Sequence, residues 1–367
     1  MSNSAQDLQE QIAEAFSEKQ PVSIQGGGSK HFYGCPVAAP LLDTTSHTGI
    51  IAHEPTELTI TVRCGTTLAE LDQHLEKHGQ VLACEPPDYS GKATVGGMIA
   101  AGLAGPARPY LASVQDTVLG CTLLNGKGER LGFGGKVMKN VAGYDISRLI
   151  VGSLGCLGLI LDVTLKVIPR TLAESSFAFS VAKEQSAAFV NELRKNGLPV
   201  TASCFLDEQL VIRFAAGNKE IENLTIELEK HYSFIQHSLF VDDGFWLKLR
   251  NHQLPFFSPD DQRSLWRLSV SADTDIKPLL DTQAQVLTEW GGVLHWMKTD
   301  KSPEEIFNTM SSVAGQASLF RTSNAQDGNT TPRFQPLPSA LKLWHKQLKA
   351  AFDPAGILNP GKMYPGL

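Results

Sequence analysis

The chain has 367 residues, 42% hydrophobic and 19% charged, with a formal net charge of −6. That length carries a sizeable core and suggests about two domains. A mildly acidic balance excludes a surface built to track nucleic acid or an anionic membrane, since both reward a basic face. No apolar run reaches the roughly 18 residues of a membrane-spanning helix. Residues 1–4 are not a basic region leading into an apolar core, so no secretory signal is expected and the chain is read as cytoplasmic. Six cysteines occur without any Cys-x-x-Cys pair. They are read as reduced and scattered, with no disulfide framework, zinc site or iron–sulfur ligand set.

The spacing of Leu8, Ile12, Ala15 and Phe16 predicts an amphipathic helix over 5–19, ended by Pro21. Val22-Ser23-Ile24 is a short strand. Residues 58–63 alternate and are β-branched, which predicts a strand. Thr67 caps a helix carrying Leu68, Leu71 and Leu75, terminated at Gly79. Residues 84–110 are crowded with Pro, Gly and Ala, a composition that lets backbone approach something flat or anionic. Strands at 117–124 and 130–133 flank Asn125-Gly126-Lys127-Gly128, a hairpin signal. A short helix is expected at 144–151 and a continuous apolar strand at 158–168, stopped by Pro169.

Beyond about residue 170 glycine thins out. Strands are expected at 177–181, 199–205, 210–214, 266–270 and 293–297. Helices are expected at 185–196, 219–231, 277–289 and 302–314. Residues 322–338 are polar and Pro-rich and read as a mobile loop. Leu341, Trp344, Leu348 and Phe352 then define a last amphipathic helix.

Four glycine-bearing clusters stand out, each ambiguous alone. Gln25-Gly26-Gly27-Gly28-Ser29-Lys30 follows a strand. Three glycines let backbone N–H groups converge on a phosphate, with a hydroxyl and a charge beside them; a flexible turn explains them equally well. Ala93-Thr94-Val95-Gly96-Gly97-Met98 is a structural turn or a backbone wall against a flat ring. Gly143 and Gly152 through Gly158-Leu159-Ile160 fit close helix–strand packing. Asn359-Pro360-Gly361-Lys362 by itself is a turn.

In their order and spacing, these clusters resemble the FAD-binding domain of the vanillyl-alcohol oxidase/MurB (PCMH-type) superfamily. The strings at 25–30, 84–87, 102–110, 134–145 and 254–258 resemble more narrowly the FAD-binding subunits of glycolate oxidases, essentially end to end. The resemblance implies an α+β fold: a two-subdomain FAD-binding domain at 1–170, a smaller α+β cap at 171–338 that covers the isoalloxazine in this superfamily, and a C-terminal helix and tail at 339–367. It implies that Gln25, Gly26, Gly27, Gly28, Ser29 and Lys30 cradle the pyrophosphate. Pro87, Thr94, Val95, Gly96, Gly97, Met98 and Ala101 would line the flavin and its linker. Gly143, Gly152, Gly158, Leu159, Ile160 and Asn359 would complete the channel. Some relatives attach FAD covalently through a histidine after the glycine run or a cysteine before the Thr-Val-Gly-Gly stretch. Ser29 and Gly91-Lys92 stand there in this chain, so non-covalent FAD is expected.

The sequence departs from the catalytic relatives in the cap. Their metal-binding Gly-Asp-Gly-Asn-x-His string reads here Gln326-Asp327-Gly328-Asn329-Thr330-Thr331. No pair of histidines is read as having ligand spacing, and no metal site is expected. His231, His237, His252 and His295 read as surface or satisfied core residues. Arg321 is a carboxylate clamp or, more simply, an ion-paired surface residue. No catalytic base is assigned. The expected role is one flavin subunit of a complex that oxidises glycolate or another small 2-hydroxy acid to the 2-oxo acid. A paralogous catalytic flavin subunit and an iron–sulfur subunit would be partners, and any membrane association would run through them. A self-sufficient 2-hydroxy-acid dehydrogenase and a non-catalytic flavin scaffold are the alternatives. Phe256-Phe257 is either a partner contact or packed under the cap.

Overall fold

The computed structural model describes residues 4–367 except 90, 136–144, 172, 233–234, 237–243, 259–260, 262, 281–283 and 323–330; for 225, 229, 231, 235 and 236 only the backbone is described. The fold is α+β and divides into two compact units. Residues 1–104, 112–170 and 332–367 form the first, and 105–111 with 171–331 the second.

The first unit begins with α1 (Ser4–Glu18), which buries Leu8, Ile12 and Ala15 along one stripe, as their spacing requires. Next come β1 (Ser23–Gln25) and β2 (Leu41–Asp43), paired in parallel. The chain continues through β3 (Ile50–Glu54), β4 (Thr59–Arg63), α2 (Leu68–Glu76) and β5 (Gln80–Leu82). Thr67 and Glu70 form a reciprocal cap on α2: the Thr67 hydroxyl accepts the Glu70 N–H, and the Glu70 carboxylate accepts the Thr67 N–H. Then follow α3 (Val95–Ala101), α4 (Val114–Thr117), β6 (Val118–Leu124), β7 (Arg130–Gly134), α5 (Ile146–Leu149) and β8 (Leu159–Pro169). The sheet runs β3-β4-β8-β6-β7, with β5 on the far end of β8. Its central strand β8 is almost wholly buried. The run expected to be continuously apolar is broken by Asp162, Thr164 and Lys166, and the buried Asp162 is paired with His47 and Arg130. The expected helix at 144–151 is only the single turn of α5, capped by Asp145; residue 144 lies outside the described residues.

In the second unit, β9 (Ala173–Phe179), α6 (Lys183–Lys195), β10 (Val200–Leu206), β11 (Gln209–Ala216), α7 (Asn218–His231) and β12 (Ile235–Gln236) precede α8 (Phe245–Arg250). After them come β13 (Ser264–Ser269), β14 (Gln285–Glu289), β15 (Leu294–Thr299), α9 (Pro303–Ser312) and β16 (Gln316–Arg321). All the strands join one antiparallel sheet, β12-β9-β11-β10-β14-β15-β13-β16. Its two halves each have their own apolar cluster. They meet where Cys204 pairs with Glu289 and Phe205 with Thr288.

The helix expected at 277–289 is not formed. A short 3-10 turn at Lys277–Leu279 leads to β14, which is bonded on both edges, to β10 and to β15. Short apolar runs fit helix and strand equally well, and two waiting sheet edges decide this one. Residues 105–111 join the second unit through side chains: the Tyr110 hydroxyl lies 2.6 Å from Ser203 Oγ, and Trp290 Nε1 donates to the Gly105 carbonyl at 3.0 Å. Arg108 and Arg267 both stack on Trp290, 4.9 and 5.3 Å from its centroid.

The chain returns to the first unit with α10 (Ser339–Phe352). Its expected inward face is only half used. Phe352 is buried and Leu348 partly so, while Leu341 is 48% and Trp344 67% exposed. Lys349 takes the innermost place, donating from Nζ to the carbonyls of Cys156 (2.9 Å) and Leu358 (2.6 Å) and pairing with Asp353 at 2.7 Å. The Asp353 carboxylate also accepts the N–H groups of Ile357 and Leu358. Leu358 then lies beside Val22 in a parallel bridge, so the tail extends the β1–β2 ribbon. Replacing Lys349 by Met leaves a buried carboxylate without its cation. A loss of about 3–5 kcal/mol is expected in urea unfolding.

Candidate functional site

β1 ends at Gln25, whose carbonyl is held by the Thr44 N–H and hydroxyl. The next three residues are glycines because their neighbours leave no room. A Cβ at Gly26 would strike the Thr94 side chain, and one at Gly27 the Lys92 carbonyl. Gly28 has φ +69, which glycine adopts without strain. The loop therefore presses bare backbone against residues 92–94. Thr94 is itself fixed as the cap of α3, its hydroxyl accepting the Gly97 N–H at 3.2 Å.

One cleft is lined by Gln25, Gly26, Gly27, Gly28, Ser29, Lys30, Thr94, Gly97, Ala101 and Asn359. A second, lined by Gly26, Gly96, Gly97, Gly158, Leu159, Ile160 and Asn359, shares three of these residues and continues it. So most of the expected channel residues come together. Pro87, Val95, Met98 and Gly152 line neither cleft. Val95 and Met98 face the core, where a strictly buried apolar side chain is most stable. Gly152 supports α3 from outside, donating to the Ile99 carbonyl at 3.0 Å. Gly143 lies outside the described residues.

Cations border the cleft. Lys30 Nζ donates to Ser29 Oγ at 3.2 Å and sits 5.6 Å from the centroid of the Tyr89 ring. Burial lowers its ammonium to about 8, against the opposing pull of the Asp88 carboxylate. Lys362 lines the same cleft, donates to the His31 carbonyl, and is also lowered by burial. The Asn359-Pro360-Gly361-Lys362 string contained this second cation, but only the return of the tail places it. Leu154, with φ 53, is another lining residue that no local pattern announces.

Asn359 is a clamp. It is buried with φ 45, a region that asparagine enters more readily than most residues. Its Oδ1 accepts the Ile24 N–H at 2.7 Å, and its Nδ2 donates to the Leu154 carbonyl at 2.7 Å. A Cβ on Gly155 would come within 2.6 Å of that amide, which is why glycine stands there.

Backbone N–H groups without side chains, a hydroxyl and two partly desolvated ammonium groups are the donor set that a diphosphate requires. The continuation past Gly96, Gly97 and Gly158 is likewise lined by bare backbone. The residues present thus suit FAD.

In the second unit, the His252 ring stacks on Phe257 at 3.9 Å and meets Trp296 edge-on at 4.4 Å. Burial, and then Arg321 and Arg267, hold it well below the usual histidine range. His295 is lowered to about 4 by burial, and its Nδ1 lies 2.9 Å from Thr288 Oγ1. His295 is buried and His252 half-buried, and the lowered pKa of each favours the neutral ring at pH 7. Arg321 lies over the Phe320 ring and next to His252 rather than on open surface. Phe257 is buried and Phe256 half-buried, so these aromatics form part of the packed interior. His237 and residues 326–329 lie outside the described residues.

Residues 2–134 match the family model for the FAD binding domain, and 340–363 that for the C-terminal domain of FAD linked oxidases. The chain is 42% identical over 363 residues to glycolate oxidase subunit GlcE of Escherichia coli strain K12, covering 99% of this chain and 98% of that protein. This chain belongs to the GlcE family. Like others of its superfamily it takes FAD as cofactor. More distant is glycolate oxidase subunit GlcD of Bacillus subtilis strain 168, at 25% identity over 94% of this chain and 84% of its own. A solved structure of alkyldihydroxyacetonephosphate synthase shares the fold, with a TM-score of 0.67 at 15% identity over 97% of this chain and 75% of that one.

The Lys30 ammonium gives this GlcE-family cleft a pH signature. A pyrophosphate binds the charged form, and that form is lost above about pH 8. FAD affinity is therefore expected to fall as pH rises past 8, by up to about tenfold per unit. Lys30→Met should weaken binding at pH 7 and flatten this dependence. Titration of the apoprotein with FAD at pH 7 and 9, followed by flavin fluorescence, checks both.

Proposed function

We propose that the chain is the FAD-binding subunit of a glycolate oxidase complex, oxidising glycolate or a close 2-hydroxy acid to the 2-oxo acid. The observation that carries this reading is the end-to-end match to GlcE, together with an intact glycine-and-lysine cradle at its N-terminal end. In this reading the first unit is the flavin domain and the second the cap. Residues 25–30 hold the pyrophosphate, with Lys362 as a second cation. Thr94, Gly96, Gly97, Ala101, Gly158, Leu159 and Ile160 flank the linker and ring, and Asn359 fixes the wall between them. Val95, Met98 and Gly152 support that wall from behind, and Pro87 and Gly143 are assigned to the site by the family resemblance alone.

FAD when bound supplies a two-electron acceptor. The chain's own residues bind it, orient it and exclude water. Partners complete the reaction: a GlcD-type flavin subunit that carries the hydroxy-acid chemistry, and an iron–sulfur subunit that takes the electrons onward. Two features support this division. Thr331 stands where catalytic relatives have a metal-binding histidine, and none of the six cysteines has cluster-ligand spacing. No helix among the described residues is long and apolar enough to cross a membrane, so association with the inner face of the membrane would run through the partners.

The isolated, FAD-loaded chain mixed with glycolate should keep its oxidised flavin absorbance, and the co-purified complex should bleach. Rapid bleaching of the chain alone would sink this reading in favour of a self-sufficient dehydrogenase. A flavin that never reduces in the assembled complex would point to a scaffold. Attachment is non-covalent in this reading: Ser29 occupies the position of the linking histidine, and all six cysteines are buried. Acid precipitation is expected to release the yellow colour to the supernatant and leave a colourless pellet.

A further inference from the structure

Three histidines of the first unit converge away from the flavin cleft. His74 lies in the last turn of α2 and His78 one turn beyond it; His53 comes from β3, the edge strand of the six-stranded sheet. One ring nitrogen from each lies within 4.8 Å of the others. The rings pack at centroid distances of 4.6–5.0 Å, and none of the three lines the cleft described above.

Their outer hydrogen bonds fix which nitrogens are bare. His53 Nε2 lies 2.9 Å from Gln80 Oε1, while the Gln80 amide nitrogen donates to the Pro55 carbonyl at 2.8 Å. Gln80 therefore turns its oxygen toward His53, which must donate from Nε2 and keep a lone pair on Nδ1. His78 Nδ1 lies 3.0 Å from the His74 carbonyl. A carbonyl only accepts, so His78 donates from Nδ1 and keeps a lone pair on Nε2. His74 Nε2 lies 3.0 Å from His53 Nδ1, a contact in which His74 donates and His53 accepts. Moving that proton to His74 Nδ1 gives three neutral imidazoles with bare nitrogens facing one another. Histidine ligands of metals are commonly held as His53 and His78 are, with the outer N–H anchored on a carbonyl oxygen.

We propose that His53, His74 and His78 bind a divalent transition-metal ion of the Zn²⁺ class. Three imidazole nitrogens are a borderline-soft set suited to Zn²⁺, Co²⁺, Ni²⁺ or Cu²⁺ and poor for Mg²⁺ or Ca²⁺. His53 and His74 are half-buried and His78 is exposed, so solvent reaches the site and can fill the remaining coordination position. The site is structural: it ties edge strand β3 to the end of α2.

The test uses tag-free, FAD-loaded protein and Co²⁺, whose visible d–d bands intensify in a four-coordinate nitrogen site. About one equivalent per chain should produce those bands, and Zn²⁺ should displace them. Both ions should raise the unfolding temperature in proportion to their occupancy. His78→Ala removes an exposed ring and retains the flavin spectrum as evidence of folding; it should abolish the bands. His53→Ala should do the same, and His345→Ala should not. Absent bands in the native protein, or bands that survive His78→Ala, would overturn the proposal.

Discussion

The side-chain amide of Asn359 joins three stretches of chain that are distant in sequence. It accepts from Ile24 in β1, donates to Leu154 before β8, and sits on a tail whose backbone pairs with Val22. That tail is held by the Lys349–Asp353 pair, where every bond is made to backbone or to the partner charge. A buried ion pair contributes little net stability on average, but a fully satisfied one fixes a single arrangement. Without it the loop at 152–158 and the strand leading into the glycine loop lose their common anchor. The cleft is thus a property of the first unit as a whole.

The glycines around it serve two physical ends. Gly26, Gly27 and Gly28 leave backbone donors open along one wall. Gly96, Gly155 and Gly158 are there because Cys64, Asn359 and Leu123 already occupy the space a Cβ would need. A side chain at Gly26, Gly27, Gly96, Gly155 or Gly158 would push against the neighbours already packed there and distort the wall of the cleft. Close packing of glycine against side chains is how a groove this narrow is built from ordinary elements.

Much of this was legible in the sequence. The stripes of α1 and α2, the Thr67 cap, the Asn125–Gly128 hairpin and the mainly apolar strand β8 all follow from local chemistry. The strand β14 did not, because residues 285–289 are settled by two sheet edges that exist only after β10 and β15 are in place. The exposed Leu341 and Trp344 were read as core because periodicity marks a face without saying how much of its length is covered. In the cleft, 25–30, 94–97 and 158–160 were found as motifs. Leu154 and Lys362 depend on the returning tail. The His74–His78 pair, one helical turn apart, is passed over by the sequence reading, and only the fold brings His53 beside it.

Asn359 lies 335 residues beyond its partner Ile24. On a ribosome, the glycine loop emerges long before its clamp. Domains fold largely as their residues become available. The six-stranded sheet, complete by residue 169, can form well before the clamp arrives, but the wall that Asn359 closes cannot. Flavin capture therefore waits until Asn359 has been made. A chain cut short between residue 169 and its last helix could still fold its sheet, yet would hold no finished seat for the cofactor.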